Sequence, residues 1–163
     1  VVATADIGQK RSSLPKPLGP LADALRDVVD GPDATYTALA FDPASTPVLA
    51  ELLGHPDPFV RLMAARCLCD GGGERVRLAV PTLTALLGDA RAHLRRRAAE
   101  VLETAGAFSR DAARPAVPAL VRALGDEDKL VRVYAGEALR AIDPEAARWA
   151  GVEADEGTSD EQR

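Results

Sequence analysis

The sequence predicts an all-α chain built as a stack of antiparallel helical hairpins, and three observations predict it. Of 163 residues, 47% are hydrophobic but only 4% are aromatic. Ala, Leu and Arg dominate, a mixture that favours helices over a β-sandwich or barrel. A block of Pro, Leu and Gly then recurs as Pro47–Gly54, Pro81–Gly88 and Pro118–Gly125, with shifts of 34 and 37 residues. Each copy is followed at a fixed distance by a second block: Val60-Arg61-x-x-Ala64-Ala65-x-x-Leu68, Leu94-Arg95-x-x-Ala98-Ala99-x-x-Leu102 and Val131-Arg132-x-x-Ala135-Gly136-x-x-Leu139. A period of this length marks stacked supersecondary units.

Each block reads as a helix. In the first block Leu49, Leu52 and Leu53 fall at i, i+3, i+4 and form an apolar stripe, repeated by Leu83, Leu86 and Leu87. Pro47, Pro81 and Pro118 lie near helix starts, where a missing N–H costs little. Gly54, Gly88 and Gly125 stand where the chain leaves the helix, and are expected in the left-handed C′ conformation that Gly tolerates. In the second block Val60, Ala64 and Leu68 share one face. Asp57-Pro58 supplies an N-cap followed by Pro, and Asp128 is placed to cap the third copy in the same way. Ala64/Ala65, Ala98/Ala99 and Ala135/Gly136 let neighbouring helices approach closely. One hairpin of this size cannot bury its own stripe, whereas a stack makes a continuous core.

The flanks read differently. Pro20–Val29 has a helical pattern with Leu21, Leu25 and Val28 on one face, and Thr35–Phe41 reads as a short second helix stopped by Asp42-Pro43. Together they read as a degenerate N-terminal unit that caps the stack. Asp143-Pro144 starts a short helix whose Trp149 is expected to cover the other end. Residues 1–17 read as a flexible arm, 18–150 as the solenoid and 151–163 as a disordered acidic tail. The tail holds Glu153, Asp155, Glu156, Asp160 and Glu161 against Arg163, so most of the net charge of −5 sits there.

The motif Asp57-x-x-Val60-Arg61-x-x-Ala64-Ala65-x-x-Leu68, preceded by Pro-x-Leu-x-x-Leu-Leu-Gly, resembles HEAT repeats, particularly the short bacterial HEAT-like (armadillo-type) kind. The resemblance covers about residues 45–143, three units. The second unit departs from it, because Arg91 stands where Asp57 and Asp128 stand. The resemblance implies a right-handed α-solenoid and a concave side lined by the second helix of each unit. Tetratricopeptide aromatic positions and the ankyrin Thr-Pro-Leu-His are absent.

With Val60, Ala64 and Leu68 facing inward, helical periodicity turns Leu62/Met63, Arg66 and Cys69/Asp70 outward. The equivalents form columns Met63–Arg97–Tyr134, Arg66–Glu100–Glu137 and Cys69–Glu103–Arg140, with Arg96 beside the first. One reading is a solvated face with pairs Arg66–Glu100 and Glu103–Arg140. The other is a partner-binding surface of Met63, Arg66, Arg96, Arg97, Glu100, Tyr134, Glu137 and Arg140, residue types that include those enriched at interface centres. Arg61, Arg95 and Arg132 recur at one register, which points to a structural job: bonding Asp57, Asp128 or carbonyls of the preceding turn.

No catalytic signature appears. Gly71-Gly72-Gly73 is not followed by Lys-Ser/Thr, and there is no G-x-S-x-G elbow. Cys67 and Cys69 point to opposite helix faces and read as one packed and one surface thiol. His55 and His93 fall at turns and lack metal-pair spacing, so no metal or cofactor is expected. No run of about 18 apolar residues exists, so no membrane span is expected. The absence of an export signal and the low cysteine count read as cytoplasmic, and the missing initiator Met reads as a processed chain or a piece of a longer one. The functional expectation is a non-catalytic module that binds a protein or peptide. The alternative is nucleic-acid binding through Arg95–Arg97, disfavoured by the near-neutral body and by Glu100 and Glu103 beside the cluster.

Overall fold

A computed structural model describes residues 18–27 and 34–152. The N-terminal arm, Val28 and the tail from residue 153 lie outside the described residues. The described residues are helical with no strand among them, and they form an α-solenoid in two layers. The second-helix layer runs α1 (Leu18–Arg26), α4 (Pro58–Asp70), α6 (Ala92–Phe108) and α9 (Lys129–Ile142), each packed on the next. The first-helix layer runs α2 (Ala34–Phe41) with α3 (Thr46–Leu52), then α5 (Arg75–Leu86), then α7 (Arg110–Ala113) with α8 (Val117–Ala123). Helix α10 (Pro144–Trp149) packs on α9.

The stripes read from the sequence form the core between the layers. Leu49, Leu52, Leu83, Leu86 and Leu120 meet Val60, Ala64, Leu68, Leu94, Ala98, Leu102, Val131, Ala135 and Leu139, all buried. Asp57 caps α4 by accepting from Phe59 N–H at 2.9 Å, and Asp128 caps α9 by accepting from Leu130 and Val131. Arg91 supplies no side-chain cap to α6.

The first-helix layer departs from expectation in two ways. Helix α2 belongs to the first full hairpin, on α4 beside α3, and is not the second helix of a capping unit. A short 3-10 turn, Pro43–Ser45, joins α2 to α3, and another, Arg114–Ala116, joins α7 to α8. In the middle unit α5 runs unbroken from Arg75, so Pro81 lies inside the helix instead of at its start. The cause is a second proline. Pro43 and Pro115 break the outer units a few residues before Pro47 and Pro118, and no proline precedes Pro81 in α5.

Breaking α2 leaves carbonyls without helical donors. Arg75 from the next unit donates to Ala40 O at 2.7 Å and Leu39 O at 3.1 Å, and the Ser45 hydroxyl also donates to Leu39 O. Gly71 makes room for this crossing. A Cβ there would lie 2.2 Å from the Arg75 guanidinium and 2.6 Å from Ala40 O.

Gly54, Gly88 and Gly125 are not left-handed, since positive φ occurs only at Gly72, Gly73 and Gly151 among the described residues. Their N–H groups instead bond the carbonyl three residues back: Glu51, Ala85 and Arg122, at 3.0, 3.1 and 3.0 Å. The helix tightens at its end and needs no left-handed residue. The left-handed cap is found at Gly151 (φ 75°), where Gly151 N–H reaches Arg148 O and Val152 N–H reaches Ala147 O. Val152 packs on the core near Gly136, so Gly151 and Val152 close α10 and do not begin the tail. Trp149 does not cover the end of the stack, because it is 85% exposed and the buried contacts of α10 come from Ala147.

Candidate functional site

The second helices present three different faces. Met63, Arg97 and Tyr134 occupy one register, yet they differ in exposure. Met63 is buried, Arg97 is exposed and Tyr134 is half-buried against the core. The expectation of an outward Met63 therefore fails. Helices α1 and α2 both pack on α4, whereas α6 and α9 leave this face open at Arg97. Tyr36 of α2 donates to Asp70 and lies 5.7 Å beneath the Arg66 guanidinium carbon. Arg66 also reaches Asp70 at 3.9 Å, so it does not form the expected pair with Glu100. Glu100 takes Arg97 instead, at 3.0 Å.

The column Cys69–Glu103–Arg140 is the side on which each unit meets the next. Leu62, Ala65 and Cys69 are buried there, and at the same layer Gly106 of α6 admits Ile142 and Ala141 of α9. Both thiols are thus packed, contrary to the expected surface thiol. Burial, with the Asp70 carboxylate nearby, pushes Cys67 and Cys69 up to about 12, so neither is a nucleophile near neutral pH. Arg96 also belongs to this side. It binds Asp128 of the following unit through two hydrogen bonds, with Nε–Oδ1 at 2.9 Å, and is not free for a partner. Glu103 is half-buried. Burial and the Glu137 and Glu100 carboxylates raise its pKa, with Arg140 opposing them, so these four groups form one cluster across α6 and α9.

The recurring arginines do structural work. Arg61 donates to the carbonyls of His55 (2.8 Å) and Pro56 (3.0 Å). Arg95 donates to Asp89 (2.9 Å) and Ala90 (3.1 Å), and Arg132 to Asp126 (2.8 Å) and Glu127 (3.1 Å). One guanidinium thus ties each loop to its second helix. Arg95 also clamps Asp126 of the next unit at 2.8 Å, and Arg26 of α1 clamps Asp57 at 2.9 Å. Of Arg95, Arg96 and Arg97, all three are paired with carboxylates of this chain.

Sequence reasoning missed the turn that precedes each second helix. His55, Asp89 and Asp126 each accept a hydrogen bond from the backbone N–H two residues on, at 3.0, 2.9 and 2.8 Å. The signal was available, since all three are polar acceptors at one register, but His55 hid it by being a different residue type.

Among the described residues no group of three or more His, Cys, Asp or Glu is placed to hold a metal ion, and no helix is long and apolar enough to cross a membrane. Of the residues expected to meet a partner, Arg97 is exposed, and Arg66, Glu100, Tyr134, Glu137 and Arg140 are half-buried.

Comparison with known proteins agrees with this architecture. Residues 34–103 match the family model for HEAT repeats. No curated protein matches the chain. Among solved structures, the crystal structure of an engineered protein from the Northeast Structural Genomics Consortium matches with a TM-score of 0.59 and 26% identity, over 86% of this chain. The chain spans 65% of that protein's length. The three stacked hairpins that carry the repeated Arg-x-x-Ala block thus form an α-solenoid of HEAT-repeat type, and the family match lies over residues 34–103.

Proposed function

We propose that the chain is a non-catalytic protein-interaction module that takes its partner on the second-helix layer at α6 and α9, the side that HEAT-type curvature makes concave. One observation carries this reading. The stack holds Arg97, Glu100, Tyr134, Glu137 and Arg140 in adjacent rows on a rigid, repeated frame, with Tyr134 half-buried as an aromatic anchor beside charged groups. Aromatic and Arg side chains on such a frame are the residue types that concentrate binding energy. Met63 and Arg96 leave the proposed surface, since one is covered and the other clamps Asp128. The same pairing of Arg95, Arg96 and Arg97 weakens the nucleic-acid reading, because phosphate contacts would have to displace internal carboxylates.

The test is affinity capture followed by titration of the captured protein against the wild type, Tyr134→Ala and Arg97→Glu. The expected result is a dissociation constant raised at least tenfold by either change. An unaltered affinity for both variants overturns this choice of face. Oligonucleotide binding of micromolar strength that collapses with added salt overturns the protein-partner reading.

A further inference from the structure

The joints before α4, α6 and α9 share one turn, in which a side chain accepts the backbone N–H two residues on, and the first differs in the acceptor it uses. Asp89 and Asp126 receive the backbone N–H of Arg91 and Asp128 on a carboxylate oxygen. Arg91 holds the Asp89 carboxyl down at about 2, and Arg95 holds Asp126 below the usual carboxylate range. These two acceptors therefore persist at any pH near neutral. In the first joint the acceptor is His55 Nδ1, 3.0 Å from Asp57 N–H. An imidazole nitrogen accepts only while it carries no proton.

His55 is buried, with 7% exposure, in a joint rich in cations. Arg61 of α4 donates to its carbonyl, and Arg26 reaches in from α1, itself bonded to Asp23. Arg91 of the next joint faces Asp57. The carboxylate facing the imidazole is Asp57, which Arg26 already holds. Burial and the two facing arginines lower the His55 pKa, with Asp57 opposing them. The same Asp57 caps α4 and anchors α1 through Arg26 Nε at 2.9 Å.

We propose that the α3–α4 joint is an acid-sensitive hinge, in which a solvent proton taken up at His55 Nδ1 removes the acceptor of Asp57 N–H and loosens the Arg26–Asp57 clamp that seats α1 on α4. The α5–α6 and α8–α9 joints stay closed over the same range. The sign follows from linkage: with the folded pKa below the unfolded value of about 6.5, the joint is fully stable above that pH and loosens as pH falls beneath it.

NMR titration of the His55 ring, with amide exchange of the chain from pH 8 to 5, tests this. The expected result is a His55 midpoint below 6.5. Protection at Asp57 and across α1 falls by up to tenfold per pH unit, after correction for intrinsic exchange, while Arg91 and Asp128 amides hold. In His55→Asn, a neutral acceptor that does not titrate, the dependence disappears. His55→Asp, copied from the other joints, replaces it should Asn fail to fold. A His55 midpoint at or above 6.5, equal protection of α1 and Asp57 at both pH extremes, or the same dependence in the substituted chain overturns the hinge.

Discussion

Glycines at equivalent-looking helix ends do unequal work. Gly54, Gly88 and Gly125 sit at negative φ, and a Cβ at Gly88 would lie 3.5 Å from Ala85 O, an ordinary contact. Gly88→Ala therefore restricts the unfolded chain without straining the folded one, and is expected to be neutral or to stabilise by about 0.5 kcal/mol. Gly151 at φ 75° is the reverse. There a Cβ meets the left-handed penalty of about 1 kcal/mol, and Gly151→Ala is expected to lose about that much while loosening Val152 from the core. Urea unfolding of both variants checks the pair, and a loss at Gly88 as large as that at Gly151 would contradict the assignment. At the same scale, Asp89 and Asp128 are both held down to about 2, by Arg91 and Arg96 respectively. Their contribution is present above the unfolded value of about 3.9 and is lost as pH falls from there toward 2. Denaturant midpoints measured across that window are expected to drop, and Asp128→Asn is expected to flatten the drop.

The first helices differ among units because of prolines outside the repeat signature. Pro43 and Pro115 divide the outer two, whereas α5 carries Pro81 in its interior with no break before it. An interior proline removes a backbone donor and crowds the carbonyl of Arg77. Pro81→Ala restores that bond on an exposed face, and is expected to raise stability by about 1 kcal/mol once the freer unfolded chain is counted. Thermal melting checks it, and an unchanged or lower melting temperature would mean that Pro81 serves packing. Breaks have their own requirement. The α2 carbonyls freed at Leu39 and Ala40 are met by Arg75 from the next unit. A local interruption in one element is thereby satisfied by its neighbour in the stack.

At the scale of the whole molecule, stability is the sum of units and the interfaces between them. Ala98 is fully buried in the seam of α6, which touches α4, α5 and α9. Ala98→Asp places a carboxylate there without a partner and is expected to cost several kcal/mol, on the order of a broken buried pair. Circular dichroism melting checks this, and a cooperative melt at the wild-type temperature would refute the packing register. Interface chemistry alternates along the stack. Arg26–Asp57 and Arg96–Asp128 clamp two of the junctions between second helices. Between α4 and α6 the register of Arg96 is held by buried Leu62, and that of Asp128 by Arg91.

The repeat, its two helices, the buried stripe, the Asp57 and Asp128 caps and the structural role of Arg61, Arg95 and Arg132 were all legible in the sequence by itself. Each depends on residues a few positions apart, where helical periodicity and local hydrogen bonding decide the outcome. Tertiary structure alone decided which outward positions stay outward. Met63 and Cys69 share registers with exposed or half-exposed groups in other units, and they are buried because α1, α2 and α6 close over α4. Arg96, expected to face a partner, is instead held by Asp128, 32 residues away. Trp149 stays in solvent while Val152, three residues past the end of α10, packs at Gly136. Periodicity assigns a side chain to a face, but only the neighbouring unit determines whether that face meets water.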